Sequence, residues 1–172
     1  MSQSSDQGAD VALRIAQDAF QAARGGDLAT LRAALDQGLP ARARNEKGDS
    51  LLMLAAYYGH LEAARLLLDR GSDAEALNDR GQTPLGGAAF KGDLEMTKLL
   101  LDRGAAVDGL DAQGRTPLFY AAMFDKLALI ELLVARGASV SRTDPEGGTA
   151  LKLARALGAT KAAALLESLG AT

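Results

Sequence analysis

The side chains that could carry acid–base chemistry in this sequence are one histidine and several carboxylates. His60 stands in the tripeptide GHL, at a position where other parts of the chain carry Asp27, Asp93 and Lys126. Paired carboxylates can act as general acid and base. The candidates for such pairs are Asp73, Glu75, Asp79, Asp108 and Asp111. His60 fits a repeated structural position better than a catalytic one, and the carboxylates fit solvated loops, so we expect no enzyme.

Other kinds of site are also disfavoured. The chain has no cysteine, which excludes thiolate nucleophiles and thiolate zinc sites. The glycine-containing segments Gly25–Asp27 and Gly147–Gly148 lack the strand–loop–helix context of a phosphate-binding loop. No serine has a base that the sequence pattern would place beside it. We therefore expect no catalytic residues, no metal and no cofactor.

Composition points to a compact chain without a basic face. Of 172 residues, 48% are hydrophobic, and 19 basic residues face 22 acidic ones for a net charge of −3. Basic and acidic residues alternate throughout, whereas a nucleic-acid binder should show a basic stripe. The N-terminus has neither the charge nor the apolar run of a secretory signal, and no apolar segment approaches the ~18 residues of a membrane span. A cytoplasmic protein that binds neither nucleic acid nor membrane is the expectation.

The elements that must position any site follow from a strict repeat. Glycines recur every 33 residues in one series, and a second series has the same spacing. The first series is Gly48, Gly81, Gly114 and Gly147, and the second is Gly38, Gly71, Gly104, Gly137 and Gly170. The segments between them align without a gap. A fixed period of this length is typical of a stacked solenoid.

The units resemble ankyrin repeats. The TPL motif stands at Thr83–Leu85 and Thr116–Leu118, and the AA pair stands at Ala55–Ala56, Ala88–Ala89 and Ala121–Ala122. The resemblance extends from about residue 16 to residue 172. It implies an all-α-dominated repeat solenoid of five stacked helix-turn-helix units with β-hairpin fingers, in which the terminal units act as caps.

Physical chemistry gives approximate boundaries for these units. Thr83 and Thr116 suit a helix cap, with proline at the first helical position, so inner helices are predicted over about 84–91 and 117–124. Glu167 replaces the last leucine of the LLL motif, which favours an exposed C-terminal cap. We predict a disordered tail over residues 1–8 and one domain over 9–172. Its units span about 9–47, 48–80, 81–113, 114–146 and 147–172.

Two adjacent glycines weaken one inner helix. Gly86 and Gly87 lie inside a predicted helix, where each costs about 1 kcal/mol relative to alanine. The equivalent residues of the next unit are the bulky Phe119 and Tyr120. One interpretation is complementary packing, in which Phe119 leans into the space that Gly86 vacates. The alternative is a notch that receives a partner's side chain.

The resemblance also implies where a partner would bind. In ankyrin repeats the two residues after the AA pair lie on the concave face, and four of the seven aromatic residues of this chain occupy those positions. The pairs are Tyr57–Tyr58, Phe90–Lys91 and Met123–Phe124. Finger-tip residues are expected to supply a polar rim. They are Arg44, Lys47, Leu77, Asp79, Arg80, Gln82, Leu110, Gln113 and Arg115.

The function expected from this pattern is binding of a protein partner through the concave face and the finger tips. The chain is similar to small stand-alone ankyrin proteins of bacteria, for which inhibitor, immunity and stress-related adaptor roles are plausible, and a monomer is expected. Rigid aromatic residues are frequent anchors of interfaces. The alternative is a structural or assembly protein that self-associates through the groove. A small-molecule or enzymatic site would require a deep polar pocket.

Overall fold

The computed structural model describes the backbone of residues 3–172 and the side chains of residues 8–172, and these residues form ten α-helices. The inner helices are α1 (Gln3–Gly25), α3 (Leu51–Tyr57), α5 (Pro84–Lys91), α7 (Pro117–Met123) and α9 (Ala150–Ala156). The outer helices are α2 (Leu28–Asp36), α4 (Leu61–Asp69), α6 (Leu94–Asp102), α8 (Leu127–Ala135) and α10 (Thr160–Ser168). The two predicted inner helices are confirmed to within one residue.

Hydroxyl side chains start the inner helices after α1. Ser50 Oγ accepts a hydrogen bond from the backbone N–H of Met53 at 3.0 Å, and Thr83 Oγ1 accepts one from Gly86 at 2.9 Å. Each such cap is worth about 1 kcal/mol because it satisfies a donor that the helix leaves open. Thr116 also precedes a helix, but its buried hydroxyl has no hydrogen-bond partner among the described residues. The motif alone therefore does not guarantee the cap.

Glycines with positive φ angles end the outer helices. Gly71 and Gly104 have φ angles of 82° and 90° and directly follow the C-capping residues of α4 and α6. Residues with side chains rarely adopt this left-handed conformation, whereas glycine does so at little cost. The second 33-residue glycine series thus marks the point where each outer helix turns back.

The inner helices stack on one another in chain order, and each packs on the outer helix that follows it. Neighbouring inner helices contact each other more extensively than neighbouring outer helices do. The array is therefore a helical repeat solenoid with its concave side along the inner helices. None of the described helices has both the length and the apolar content required to cross a membrane.

The apolar interior consists of two clusters that meet at α5 and α6. The first extends from Ala19 to Ala105, and the second extends from Ala89 to Ala171. Leu101 is partly buried and packs against both clusters. Since one unit cannot bury its own apolar face, this stacking supplies the core.

The four segments that link one helix pair to the next are here named fingers 1 to 4, at residues 39–49, 72–82, 105–115 and 138–148. Each tip is a tight turn closed by a backbone hydrogen bond, such as Asn78 N–H to Gln82 C=O at 3.1 Å. In residues 3–172 the only β pairing consists of two isolated bridges, Arg44 with Ser50 and Thr143 with Thr149. Paired β-strands in the fingers stay a prediction.

The N-terminal helix is longer than the sequence suggested. The sequence predicts a disordered tail over residues 1–8 and a domain that starts at residue 9, whereas α1 begins at Gln3. Residues 1 and 2 lie outside the described part of the chain. The sequence here lacks the TPL motif that fixes the start of α5 and α7, so the boundary had no local signal.

Candidate functional site

A groove of about 1060 Å³ runs along the concave side of the molecule. Its floor comes from the inner helices α1, α3, α5 and α7, and its wall comes from the tips of fingers 1, 2 and 3. No residue after Met123 lines it. The groove thus belongs to the N-terminal two-thirds of the array.

Aromatic rings form a continuous row at the groove. The row, named here the aromatic row, consists of Tyr57, Tyr58, Phe90 and Phe124. The rings of Tyr57 and Phe90 stack with centroids 6.4 Å apart, and Phe90 meets Phe124 edge-on at 5.2 Å. The side chains remain 37–48% exposed. A preformed row of this kind loses little rotamer freedom on binding, because the rings already hold one another.

A lysine lies over one of these rings. Lys91 Nζ is 5.1 Å from the ring centroid of Tyr57, within the range of a cation–π contact. Lys91 itself is exposed and lies beside the groove rather than in its lining. It therefore adds positive charge at the rim.

Gly86 and Gly87 lie in the floor of the groove between two tyrosines. A Cβ atom on Gly87 would lie 3.7 Å from Tyr57 Cδ2, and one on Gly86 would lie 4.0 Å from Tyr120 Cε2. The predicted packing of Phe119 against Gly86 is wrong, because no Phe119 atom lies within 4 Å of a Cβ built on Gly86. Phe119 is instead 1% exposed within the second core cluster. The residue that turns toward Gly86 is Tyr120.

Tyr120 connects the floor of the groove to finger 3. Its hydroxyl donates a short hydrogen bond to Asp111 Oδ2. Burial raises the pKa of Tyr120 to about 12, and the hydrogen bond to Asp111 and the charge of that carboxylate act in the same direction. The nearby Arg115 opposes the rise in this pKa. The phenol is thus neutral at physiological pH and fixed in position.

Hydrogen bonds join the finger tips into a wall. The Asp79 N–H donates to Lys47 C=O at 3.2 Å, and the Ala112 N–H donates to Gly81 C=O at 3.0 Å. Between fingers 1 and 2, Asn78 Nδ2 also donates to the buried Asp49 at 2.8 Å. Side chains on this wall consequently project from a backbone that neighbouring units support.

The single histidine has a structural contact. His60 Nε2 lies 2.9 Å from the Arg24 carbonyl oxygen of the preceding unit. Its ring covers Gly26, where an added Cβ would lie only 2.5 Å from Nδ1. This contact supports the interpretation of His60 as a residue of the repeat.

The structure brings together most of the residues predicted to bind a partner. The groove is lined by Tyr57, Tyr58, Phe90, Met123, Arg44, Lys47, Arg80, Gln82 and Arg115. The other predicted residues lie outside its lining: Lys91, Phe124, Leu77, Asp79, Leu110 and Gln113. Of these, Leu77 and Leu110 are exposed on fingers 2 and 3.

Sequence reasoning missed part of the groove. Leu13 and Phe20 of α1 line it, as do Asp49 and Asp111 on the fingers. The first unit lacks the TPL motif, so no motif pointed to Leu13 or Phe20. For Asp111 the sequence suggested only a solvated charge.

No three His, Asp or Glu side chains within the described residues lie close enough together to hold a metal ion. Three acidic side chains of the fingers, Asp73, Asp111 and Asp144, instead accept hydrogen bonds from N–H groups of their own turns. Asp111 Oδ1, for example, accepts from the N–H groups of Gln113 and Arg115 at 2.8 and 2.9 Å.

Comparison with known families identifies the helical array. A family model for ankyrin repeats in three copies matches residues 19–111 and residues 87–172. This chain belongs to the ankyrin repeat family. Ankyrin repeats generally mediate protein–protein interaction and are generally not enzymatic.

A curated relative is also similar over a short stretch. An ankyrin repeat protein of Pseudomonas aeruginosa is 58% identical over 40 residues, which is 23% of this chain and 23% of the relative. The length of this match is close to one repeat. It supports membership of the ankyrin repeat family.

Proposed function

We propose that this ankyrin protein binds a protein partner through its groove, with the aromatic row as the anchor and the finger tips as a polar rim. The observation that supports this most is the aromatic row itself. Contiguous exposed apolar surface is uncommon on monomers that have no use for it. Here it borders a groove of about 1060 Å³ with a hydrogen-bonded wall.

The proposal also covers the location, the oligomeric state and the cellular role of the protein. It acts as a cytoplasmic, monomeric binding protein of the inhibitor, immunity or stress-adaptor kind, built of five units with hairpin-like fingers. Recognition occurs on a rigid surface. Because helices and fingers are already held by neighbouring units, little ordering entropy opposes association.

The experiment that tests the proposal is affinity capture from a lysate of the cells that express the protein, with identification by mass spectrometry. The test variant is Tyr57→Ala with Phe90→Ala, which removes the two stacked rings of the aromatic row. The matched control is Leu157→Ala with Leu169→Ala. Both of these leucines are exposed apolar residues outside the groove, 56% and 37% exposed.

The proposal expects a protein that wild type and control capture and that the test variant loses, with circular dichroism showing all three proteins folded. Equal capture by all three would place binding outside the aromatic row. If wild type captures only further copies of itself, self-association replaces the partner, and sedimentation at several concentrations measures it.

A further inference from the structure

The charge of the groove differs from that of the chain as a whole. Five of the lining residues are Arg or Lys and three are Asp or Glu, whereas the whole chain carries a net charge of −3. Four of the five cations and all three carboxylates lie on the wall, and the fifth cation, Arg24, lies on α1. Arg44 is held by the Leu77 carbonyl at 2.7 Å, so it is positioned without being neutralised.

Three cations of the wall are available to a partner. Lys47 and Arg115 form no ion pair with any carboxylate in the described part of the chain. Arg80 has only a distant pairing with Asp49, at 3.9 Å, and its side chain is 69% exposed. Lys47 and Arg80 are exposed and Arg115 is half-buried, so the first two attract anionic groups at the lower desolvation cost.

The carboxylates of the groove are mostly engaged within the protein. Asp49 is 6% exposed and accepts a hydrogen bond from Asn78. Asp111 accepts hydrogen bonds from Tyr120 and from two N–H groups of its own turn. Among the lining carboxylates, Glu46 alone is exposed. A partner therefore meets a wall whose exposed cations outnumber its two exposed carboxylates, Glu46 in the lining and Asp79 beside it.

The floor provides a place for an apolar side chain. Gly86 and Gly87 present backbone only, and the rings of Tyr57 and Tyr120 lie at the distances given above on either side. A side chain from a partner can contact both rings where this chain has none of its own. An apolar anchor in such a pocket is the usual centre of an interface.

From these features we infer that the groove takes an acidic, extended peptide segment, with an apolar anchor over Gly86 and Gly87 and carboxylates against Lys47, Arg80 and Arg115. The inference rests on the proposed function. A peptide fits better than a nucleic acid, because Glu46 and Asp79 interrupt the wall. A phosphate backbone instead favours a continuous track of cations.

The first stage of the test is selection of a random peptide library, displayed on phage, against the wild-type protein. Enriched sequences should carry Asp and Glu around an apolar residue. Enrichment without a bias toward acidic residues overturns the inference but agrees with the proposed function. If nothing is enriched, the peptide occupant is wrong, whereas capture of a folded partner from the lysate would still support the proposed function.

The second stage measures the affinity of the most enriched peptide by fluorescence anisotropy. Arg80→Gln with Arg115→Gln should weaken binding about tenfold or more, since both are expected to meet carboxylates. The control, Arg103→Gln with Arg136→Gln, changes the net charge equally at the outer helices and should change the affinity less than twofold. Equal weakening in both variants would mean that only net charge matters, and it would overturn the inference.

The same assay tests the apolar anchor and the alternative that the groove binds a nucleic acid. Replacing the peptide's Asp and Glu with Asn and Gln should weaken binding to wild type, and Gly87→Leu should do so by filling the floor. Oligo(dT) serves as the nucleic-acid probe. If it binds the groove more tightly than the peptide and loses affinity in the Arg80 and Arg115 variant, the groove is a single-strand site and the inference is wrong.

Discussion

The groove and the outer edge of the array use the same 33-residue period in different ways. At the ends of the outer helices the same Arg–Asp ion pair recurs between successive units. Arg70 meets Asp36 at 2.7 Å, and Arg103 meets Asp69 at 2.6 Å. Arg136 meets Asp102 at 2.7 Å in the same way. In the groove, the equivalent positions of neighbouring units are occupied by residues as different as Gly87 and Tyr120.

This difference separates residues that hold the units together from residues that differ between units and shape the groove. At the outer edge, repeated residues pair with one another across unit boundaries. Positions that change from unit to unit give the floor of the groove its shape and its aromatic row. The four predictions below test where that separation holds.

The largest effect is expected at Phe119, which belongs to the core although its position varies among the units. Phe119→Ala should lower the free energy of unfolding by about 3–5 kcal/mol, because it leaves a cavity in the second cluster. Phe90→Ala removes a 41% exposed ring and should cost about 1 kcal/mol. Urea unfolding followed by circular dichroism measures both, and similar losses would contradict this assignment.

The next effect concerns Tyr120, whose pKa is raised from 10.0 to about 12. Below about pH 10 both the folded and the unfolded chain keep the phenol proton. Between about pH 10 and 12 only the unfolded chain releases it, so the free energy of unfolding should fall as pH rises through this window. The difference in phenolate absorbance between wild type and Tyr120→Phe gives the pKa of Tyr120. A pKa near 10 would show that burial and Asp111 do not raise it.

A smaller gain is expected from Gly87→Ala. An added Cβ would make an ordinary contact with Tyr57 at 3.7 Å, so alanine should raise the free energy of unfolding by about 1 kcal/mol through helix propensity. Gly86→Ala should gain less, because its Cβ would lie only 3.1 Å from Thr83 Oγ1. Thermal unfolding compares the two variants. A loss of stability in Gly87→Ala would show that the floor tolerates no side chain.

The smallest effect belongs to the outer edge. A double-mutant cycle of Asp69→Ala and Arg103→Ala should give a coupling of about 0.2–1 kcal/mol, because both side chains are exposed. High salt should reduce it. A coupling that is larger and insensitive to salt would mean that the outer pairs contribute more to the array than their exposure indicates.

The sequence predicted the helices and most of the aromatic row well, because glycine spacing and the TPL motif fix the local backbone. It failed where the direction of a side chain mattered. Phe119 and Tyr120 are adjacent on α7, and successive helical residues point about 100° apart. Spacing alone did not decide which ring enters the core and which turns toward Gly86. Contacts such as Asn78 with Asp49 join two units and also have no signal in a single unit's pattern.

The two apolar clusters meet at α5 and α6, and the groove crosses the same boundary. Unravelling of the second cluster from the C-terminal end would remove Tyr120 and Met123 from the groove while α1 and α3 stayed packed in the first cluster. A ligand that spans the groove from α1 to α7 would contact helices of both clusters and so link them across this boundary. Its binding would then favour unfolding of the two clusters as one cooperative unit.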